Sequence, residues 1–317
     1  MKNRSVQPGG PVHAEFQVQD RSRAERSSTA YTSQSRPQSL LRKSLRRSAW
    51  WLMVPAMALL LVGFVLPLAE MAGWSSSLAT YQTALGAGPY RGILFNTFEL
   101  SLVIAVVATV LGYPVAYFLN RCSARWQTIL LLMVLTPLWV SILIRTYSWI
   151  VVLGREGIVN SVLIATGAVD EPVRLLYTRF AVYVATIQVM LPIAILMMFS
   201  AMGGINQSLM AAARILGATP FRAFIQVFLP LSLNGAISGA MLIFVLSLGF
   251  FITPALVGGP KDTMIANIIS TQVSETMNWE LGAALGVVLL GAGLIVVALI
   301  GVLGRRFTSM TAEGGSR

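Results

Sequence analysis

Six long apolar runs decide what this chain can fold into. They lie at about residues 49–69, 93–119, 127–151, 180–202, 231–255 and 281–303. Each reaches the roughly 20 residues that a helix needs to cross a hydrocarbon core. In lipid every backbone N–H and C=O must be satisfied internally, so apolar runs of this length enter as helices. Composition agrees. The chain is 56% hydrophobic and only 11% charged, against about 25% charged in a soluble domain. The expected class is an all-α, polytopic membrane protein with six transmembrane helices.

The net charge of +11 is concentrated rather than spread. Ten of the 23 Lys and Arg residues fall in the first 47 positions, and most others sit at the ends of apolar runs. No basic groove interleaved with aromatic platforms is visible, which excludes a nucleic-acid partner. The bases sort by side instead. The N-terminal tail, the 120–126 loop, the 203–230 loop and the C-terminus together hold 17, while the other three loops hold five: Arg91, Arg155, Arg174, Arg179 and Lys261. This bias puts both termini and the 203–230 loop in the cytoplasm. The opposite loops carry seven acids against those five bases. A mildly acidic outer face suits a cationic solute; it also arises simply because bases are excluded there.

The expected organisation is a disordered basic tail over 1–48, a six-span domain over 49–305 with a cytoplasmic loop at about 203–230, and a short cytoplasmic tail over 306–317. Arg42, Lys43, Arg46 and Arg47 precede the first run and meet lipid head groups. That run starts too far in for a cleavable signal peptide. Cys122 is the only cysteine and His13 the only histidine, so disulfide, metal and histidine acid–base chemistry have almost no material. No metal site and no catalytic residue is expected. No G-x-x-x-x-G-K-[ST] phosphate loop occurs, and "LVGGPKD" has the wrong spacing. If transport is ATP-driven, the energy enters through another chain.

Four side chains stand out as candidates for a solute pathway. Glu99 lies about two turns into the second run, where a carboxylate faces protein or water rather than lipid. It either contacts a cationic solute or forms an internal salt bridge. Arg145, near the end of the third run, either snorkels to head groups or pairs with an acid such as Glu99. Tyr147 beside it suits an interfacial belt or an aromatic-lined cation path. Gln188, like Asn234, either ties helices together or lines a route. Pro137, Pro192 and Pro254 are each expected to bend or end a helix.

Between the fourth and fifth runs lies "AAARILGATPFRAFIQVFLP", residues 211–230. It reads as a short helix, a Gly-Ala-Thr-Pro turn and a second short helix that ends at a proline. The Ala-rich start favours helix, Gly217 can end it with positive φ, and Pro220 can start the next. The stretch resembles the EAA loop of permease subunits in binding-protein-dependent ATP-binding-cassette importers. That pattern is Glu-Ala-Ala, three residues, Gly, nine residues, Ile, one residue, Leu-Pro. Here Ala211, Ala212 and Ala213 fill the triplet, Gly217 follows at the right distance, Val227 takes the Ile position, and Leu229 and Pro230 close it. Ala211 stands where the family has its acid. "TPLWVSILIRTYSWIVVLGREGIVN", "LGFFITPALVGGP" and "MIANIISTQVSETMNWELGAAL" are similar to the polyamine (spermidine/putrescine) group of these permeases.

The resemblance implies a type I importer permease in the bacterial inner membrane. Ala211, Ala212, Ala213, Gly217, Pro220, Leu229 and Pro230 would form the element that docks on an ATPase. Its partners would be a second, different permease chain, two ATPase subunits that hold the ATP and Mg, and an extracytoplasmic solute-binding protein. No cofactor would sit on this chain. The alternatives are an importer of another small solute, or an ion-coupled secondary transporter, for which Glu99 alone offers little.

Overall fold

The computed structural model describes residues 38–74, 77–86, 88–206 and 208–313. Two compact units are distinguished, Met1–Ala69 and Glu70–Arg317. The described part of the first is one helix, α1, which runs Gln38–Trp74 and so continues into the start of the second. The remaining helices are α2 (Leu78–Leu85), α3 (Pro89–Arg121), α4 (Ala124–Leu135), α5 (Ile142–Leu153), α6 (Ile158–Ala165), α7 (Arg179–Gly203), α8 (Ser208–Ile215), α9 (Pro220–Ala223), α10 (Leu229–Leu248), α11 (Ile252–Val257), α12 (Ile265–Ser274) and α13 (Trp279–Glu313). No strand occurs among the described residues. Six segments are long and apolar enough to cross a membrane: Met53–Trp74, Pro89–Arg121, Ile142–Ala165, Arg179–Gly203, Pro220–Leu248 and Trp279–Val302.

Helix ends depart from the apolar runs where polar residues still favour helix. α1 begins at Gln38, eleven residues ahead of the expected span and inside the segment read as a disordered tail. Its "SLLRKSLRRSAWW" is rich in Leu and Arg, both good helix formers. Residues 1–37, most of the expected N-terminal tail, and 314–317, the last third of the C-terminal one, lie outside the described residues.

The third run is the main correction. In place of one helix over 127–151 there are two, α4 and α5, separated by a 3-10 turn at Thr136–Trp139 and extended backbone at Val140. Pro137 explains it, since its ring clashes with a preceding carbonyl and it donates no hydrogen bond. Pro192 does not end its helix; α7 runs through it. Pro254 does not end the fifth helix either. α10 stops at Leu248, and Pro254 sits inside the short α11.

α3, α7 and α10 form the core. Ile104, Ala105, Ala108, Ala116, Ala194, Met198, Ala236 and Ile243 are buried in one cluster. Small residues let the backbones approach, as is usual where helices meet in lipid. A methyl built on Gly112 would lie 2.8 Å from Met198 Cε, and one built on Gly235 would overlap Ala201 Cβ. Polar ties hold the same helices in register. Tyr113 and Ser232 hydroxyls are 2.6 Å apart, and Asn120 Nδ2 donates to the Phe199 carbonyl at 3.1 Å. On α5, Thr146 meets Thr253 of α11 at 3.0 Å.

Candidate functional site

Two regions at opposite ends of α3 hold the functional candidates. The first is the loop from α8 to α10. α8 closes in a complete C-terminal cap: Ala218 N–H donates to the Ala213 carbonyl and Gly217 N–H to the Arg214 carbonyl, both at 3.0 Å. Gly217 sits at φ +89°, the left-handed conformation this cap requires. α9 starts at once, with the Thr219 hydroxyl accepting from Arg222 N–H at 3.3 Å and Pro220 in its first turn. Every joint of the loop is therefore closed by a local hydrogen bond.

The second helix of the loop does not end at Pro230. A turn of π-helix, Phe224–Phe228, carries it into α10, and Pro230 occupies α10's first turn. The wider turn relieves the clash a proline ring makes with the carbonyl four residues earlier in α-helix. The π turn is locked by rings. Tyr117 of α3 lies 4.9 Å from both Phe224 and Phe228, edge on, while those two stack at 5.9 Å. Arg121 covers the Tyr117 ring at 4.7 Å.

Burial gives the loop two sides. Met210, Ala223 and Phe228 are buried, and Ala213 and Ala218 pack against the core cluster. Ala211, Ala212, Pro220 and Pro230 are exposed. The loop's most exposed large apolar side chains are Ile215 at 86%, Leu216 at 87% and Phe221 at 72%. Ile215 and Leu216 lie between Gly203 and Pro220, outside the segments long and apolar enough to cross a membrane. The sequence reading missed these three side chains. The available signal was their position: large apolar residues flanking a Gly-Ala-Thr-Pro turn.

At the other end of α3 is a charged cluster. Arg179 opens α7, where the Thr178 hydroxyl caps the helix by accepting from Ala181 N–H. Its Nη1 donates to Glu99 Oε1 at 2.9 Å, its Nε to Asp262 Oδ1 at 3.3 Å, and its Nη2 to Asn96 Oδ1. Asn96 Nδ2 donates to the Thr263 carbonyl, and Ile265 N–H to Thr97 Oγ1 at 2.8 Å. Asp262 Oδ2 accepts from Gly259 N–H at 3.1 Å. The Tyr177 N–H donates to the Val257 carbonyl. The cluster thus fastens α3, the start of α7 and the 257–265 connection together.

The four pathway candidates are not brought together. Glu99 pairs with Arg179, not Arg145, because α7 rather than α5 packs along α3 at that level. Arg145 Nε and Nη1, and Gln188 Oε1, are buried without a hydrogen-bond partner among the described residues. Tyr147 is exposed on α5. Arg179 and Asp262 were missed as site residues because each belongs, in sequence, to a loop. Among the described residues no group of three or more His, Cys, Asp or Glu is placed to hold a metal ion.

Residues 28–309 match the family described as "Binding-protein-dependent transport system inner membrane component". The spermidine/putrescine transport system permease protein PotB of Haemophilus influenzae is 34% identical over 210 residues, 66% of this chain and 73% of that protein. The inner membrane ABC transporter permease protein YdcU of Escherichia coli is 28% identical, over 65% of this chain and 68% of its own length. A probable sulfate transport system permease protein of Prototheca wickerhamii is 23% identical, over 64% and 79%. Among solved structures, a chain of a bacterial alginate ABC transporter, bound to its pentasaccharide-loaded periplasmic protein, superposes with a TM-score of 0.67. It is 18% identical and the match covers 84% of this chain and 97% of that one, a likeness of fold. The six apolar helices match the type I ABC importer permease architecture.

Proposed function

The chain belongs to the inner-membrane components of binding-protein-dependent transport systems, and from that premise we propose that it forms half of the pathway for a polyamine such as spermidine or putrescine. It is a multi-pass inner-membrane permease subunit of an ABC importer for a small solute, without catalysis of its own. The polyamine assignment rests on the 34% identity to a spermidine/putrescine permease across 73% of that protein.

In this reading a second, different permease chain completes the pathway, a solute-binding protein delivers the amine, and two ATPase subunits bind ATP and Mg. The basic bias of the loops puts both termini and the α8–α10 loop in the cytoplasm. There Ile215, Leu216 and Phe221 are apolar anchors for a groove on the ATPase. Gly217, Thr219 and the ring-locked π turn make the loop stiff enough to transmit a push. ATP binding draws the ATPases together and turns the pathway outward, and hydrolysis resets it, a rigid-body switch between two states.

The test is uptake by the reconstituted complex. Labelled putrescine or spermidine should enter vesicles only with ATP, and excess unlabelled amine should block it. ATP-driven activity indifferent to amines would keep the importer and discard the polyamine. An anionic solute is the second reading, favoured by Arg145 Nε and Nη1, which have no partner among the described residues, and by the relationship to a probable sulfate permease. Competition by sulfate in the same vesicles separates the two.

A further inference from the structure

Two carboxylates share one guanidinium in the charged cluster, leaving one negative charge unmatched. No other ion pair reaches either acid among the described residues. The two acids are held unequally. The Asp262 side chain is 8% exposed and is fixed twice, by Arg179 Nε and by Gly259 N–H. The Glu99 side chain is 43% exposed and is held once, by Arg179 Nη1. Arg179 keeps Asp262 and Asn96 if it gives up Glu99. The pair with Glu99 is the part of the network that can open.

The setting of Glu99 says what can reach it. It lies ten residues into α3, about 15 Å from the helix start at 1.5 Å per residue. Glu99 lies within Pro89–Arg121, a segment long and apolar enough to cross a membrane. Its neighbours on the same helix face, Phe95, Leu102 and Val106, are at least half exposed. A carboxylate at such a level faces protein or water rather than hydrocarbon, and the Glu99 side chain, although paired with Arg179, is still 43% exposed.

We propose that Arg179 is the specificity-determining residue of the pathway, a tethered cation that occupies Glu99 until an ammonium group of the solute takes its place. The proposal rests on the polyamine reading. A primary ammonium donates three hydrogen bonds and carries one positive charge, which matches what Glu99 loses when Arg179 withdraws to Asp262. A neutral or anionic solute has nothing to offer Glu99 in exchange.

The test uses the complete permease–ATPase complex, with the binding protein omitted so that only the pathway is read. Equilibrium dialysis measures labelled putrescine binding to wild type, Glu99→Gln, Arg179→Lys and Arg179→Gln, with co-elution of the ATPase as the check on assembly. Glu99→Gln should weaken binding about tenfold. Arg179→Lys, which leaves a cation for Asp262 but cannot bridge both acids, should tighten it by about threefold to fivefold, the scale of one partly exposed ion pair. Arg179→Gln should tighten it too wherever it assembles. A purely structural Arg179 moves assembly and leaves the affinity of assembled complex unchanged, and that result overturns the proposal. So does putrescine binding that ignores Glu99→Gln. ATP-driven uptake of putrescine with the binding protein restored is run alongside on wild type. If uptake is present and the variants bind like wild type, only the exchange is wrong. If uptake is absent, the polyamine reading falls and takes the exchange with it.

Discussion

The Ala218 N–H reaches back across Gly217 to the Ala213 carbonyl at 3.0 Å, so the end of α8 and the start of α9 share one closed turn. Gly217 makes this possible at φ +89°, and no atom lies within 4 Å of where its side chain would project. Any penalty for substitution there is conformational, not steric. Gly217→Val should cost about 1–2 kcal/mol locally, open the turn and uncouple ATP hydrolysis from uptake while insertion proceeds. Gly217→Asn, which tolerates the left-handed region, should retain most coupling. Equal loss in both variants would show that the turn's conformation is not what matters. ATPase co-purification and uptake read both.

Ile215, Leu216 and Phe221 are largely exposed, so their loss should destabilise the chain little. Ile215→Ser, Leu216→Ser and Phe221→Ser are each expected to leave expression and thermal unfolding within about 0.5 kcal/mol of wild type. ATPase association should fall by tenfold or more in at least one of them, as for an interface anchor. Ala211→Glu restores the acid the loop pattern normally carries. On an exposed helix position it should fold normally and associate at least as tightly.

Gly112 and Gly235 make opposite demands on their neighbours. The obstruction at Gly112 is the flexible end of Met198, whereas at Gly235 it is the Cβ of Ala201 on α7. Gly235→Ala should therefore destabilise by about 1–3 kcal/mol, the range for overpacking, and Gly112→Ala by less. Thermal unfolding in detergent ranks them; the reverse order would mean that α10 gives way more easily than Met198 does.

The Tyr113–Ser232 contact at 2.6 Å joins α3 to α10 just above the ring-locked turn. Tyr113→Phe leaves the ring against Phe224 and leaves Ser232 donating to the Leu229 carbonyl at 3.0 Å. Its expected cost is that of one hydrogen bond, about 0.5–1.5 kcal/mol. Unfolding in detergent checks it.

The spans were legible because the bilayer imposes a length, and apolar runs of that length have one backbone solution. What length could not show was the break in the third run. Pro137 marked it, but a 25-residue apolar stretch hides a 3-10 turn as readily as a continuous helix. The loop's turn was legible residue by residue, since Gly217, Thr219 and Pro220 act on their own backbone. Its outer surface was not, because exposure depends on what Met210, Ala223 and Phe228 bury against. Glu99 announced itself as a charge in lipid. Its partner stayed hidden, because Arg179 and Asp262 lie 80 and 163 positions further along the chain, and only the packing of α3 beside α7 makes them neighbours.

The π turn at Phe224–Phe228 holds one residue more than an α-helical turn would use. The angular position of the loop around the α10 axis is thus a matter of counting. Removing Ile225, an exposed member of that turn, would return the segment to α-helical phase and swing everything before it by about 100°. Ile215, Leu216 and Phe221 would then point a quarter-circle away from where they now do, on a loop otherwise unchanged.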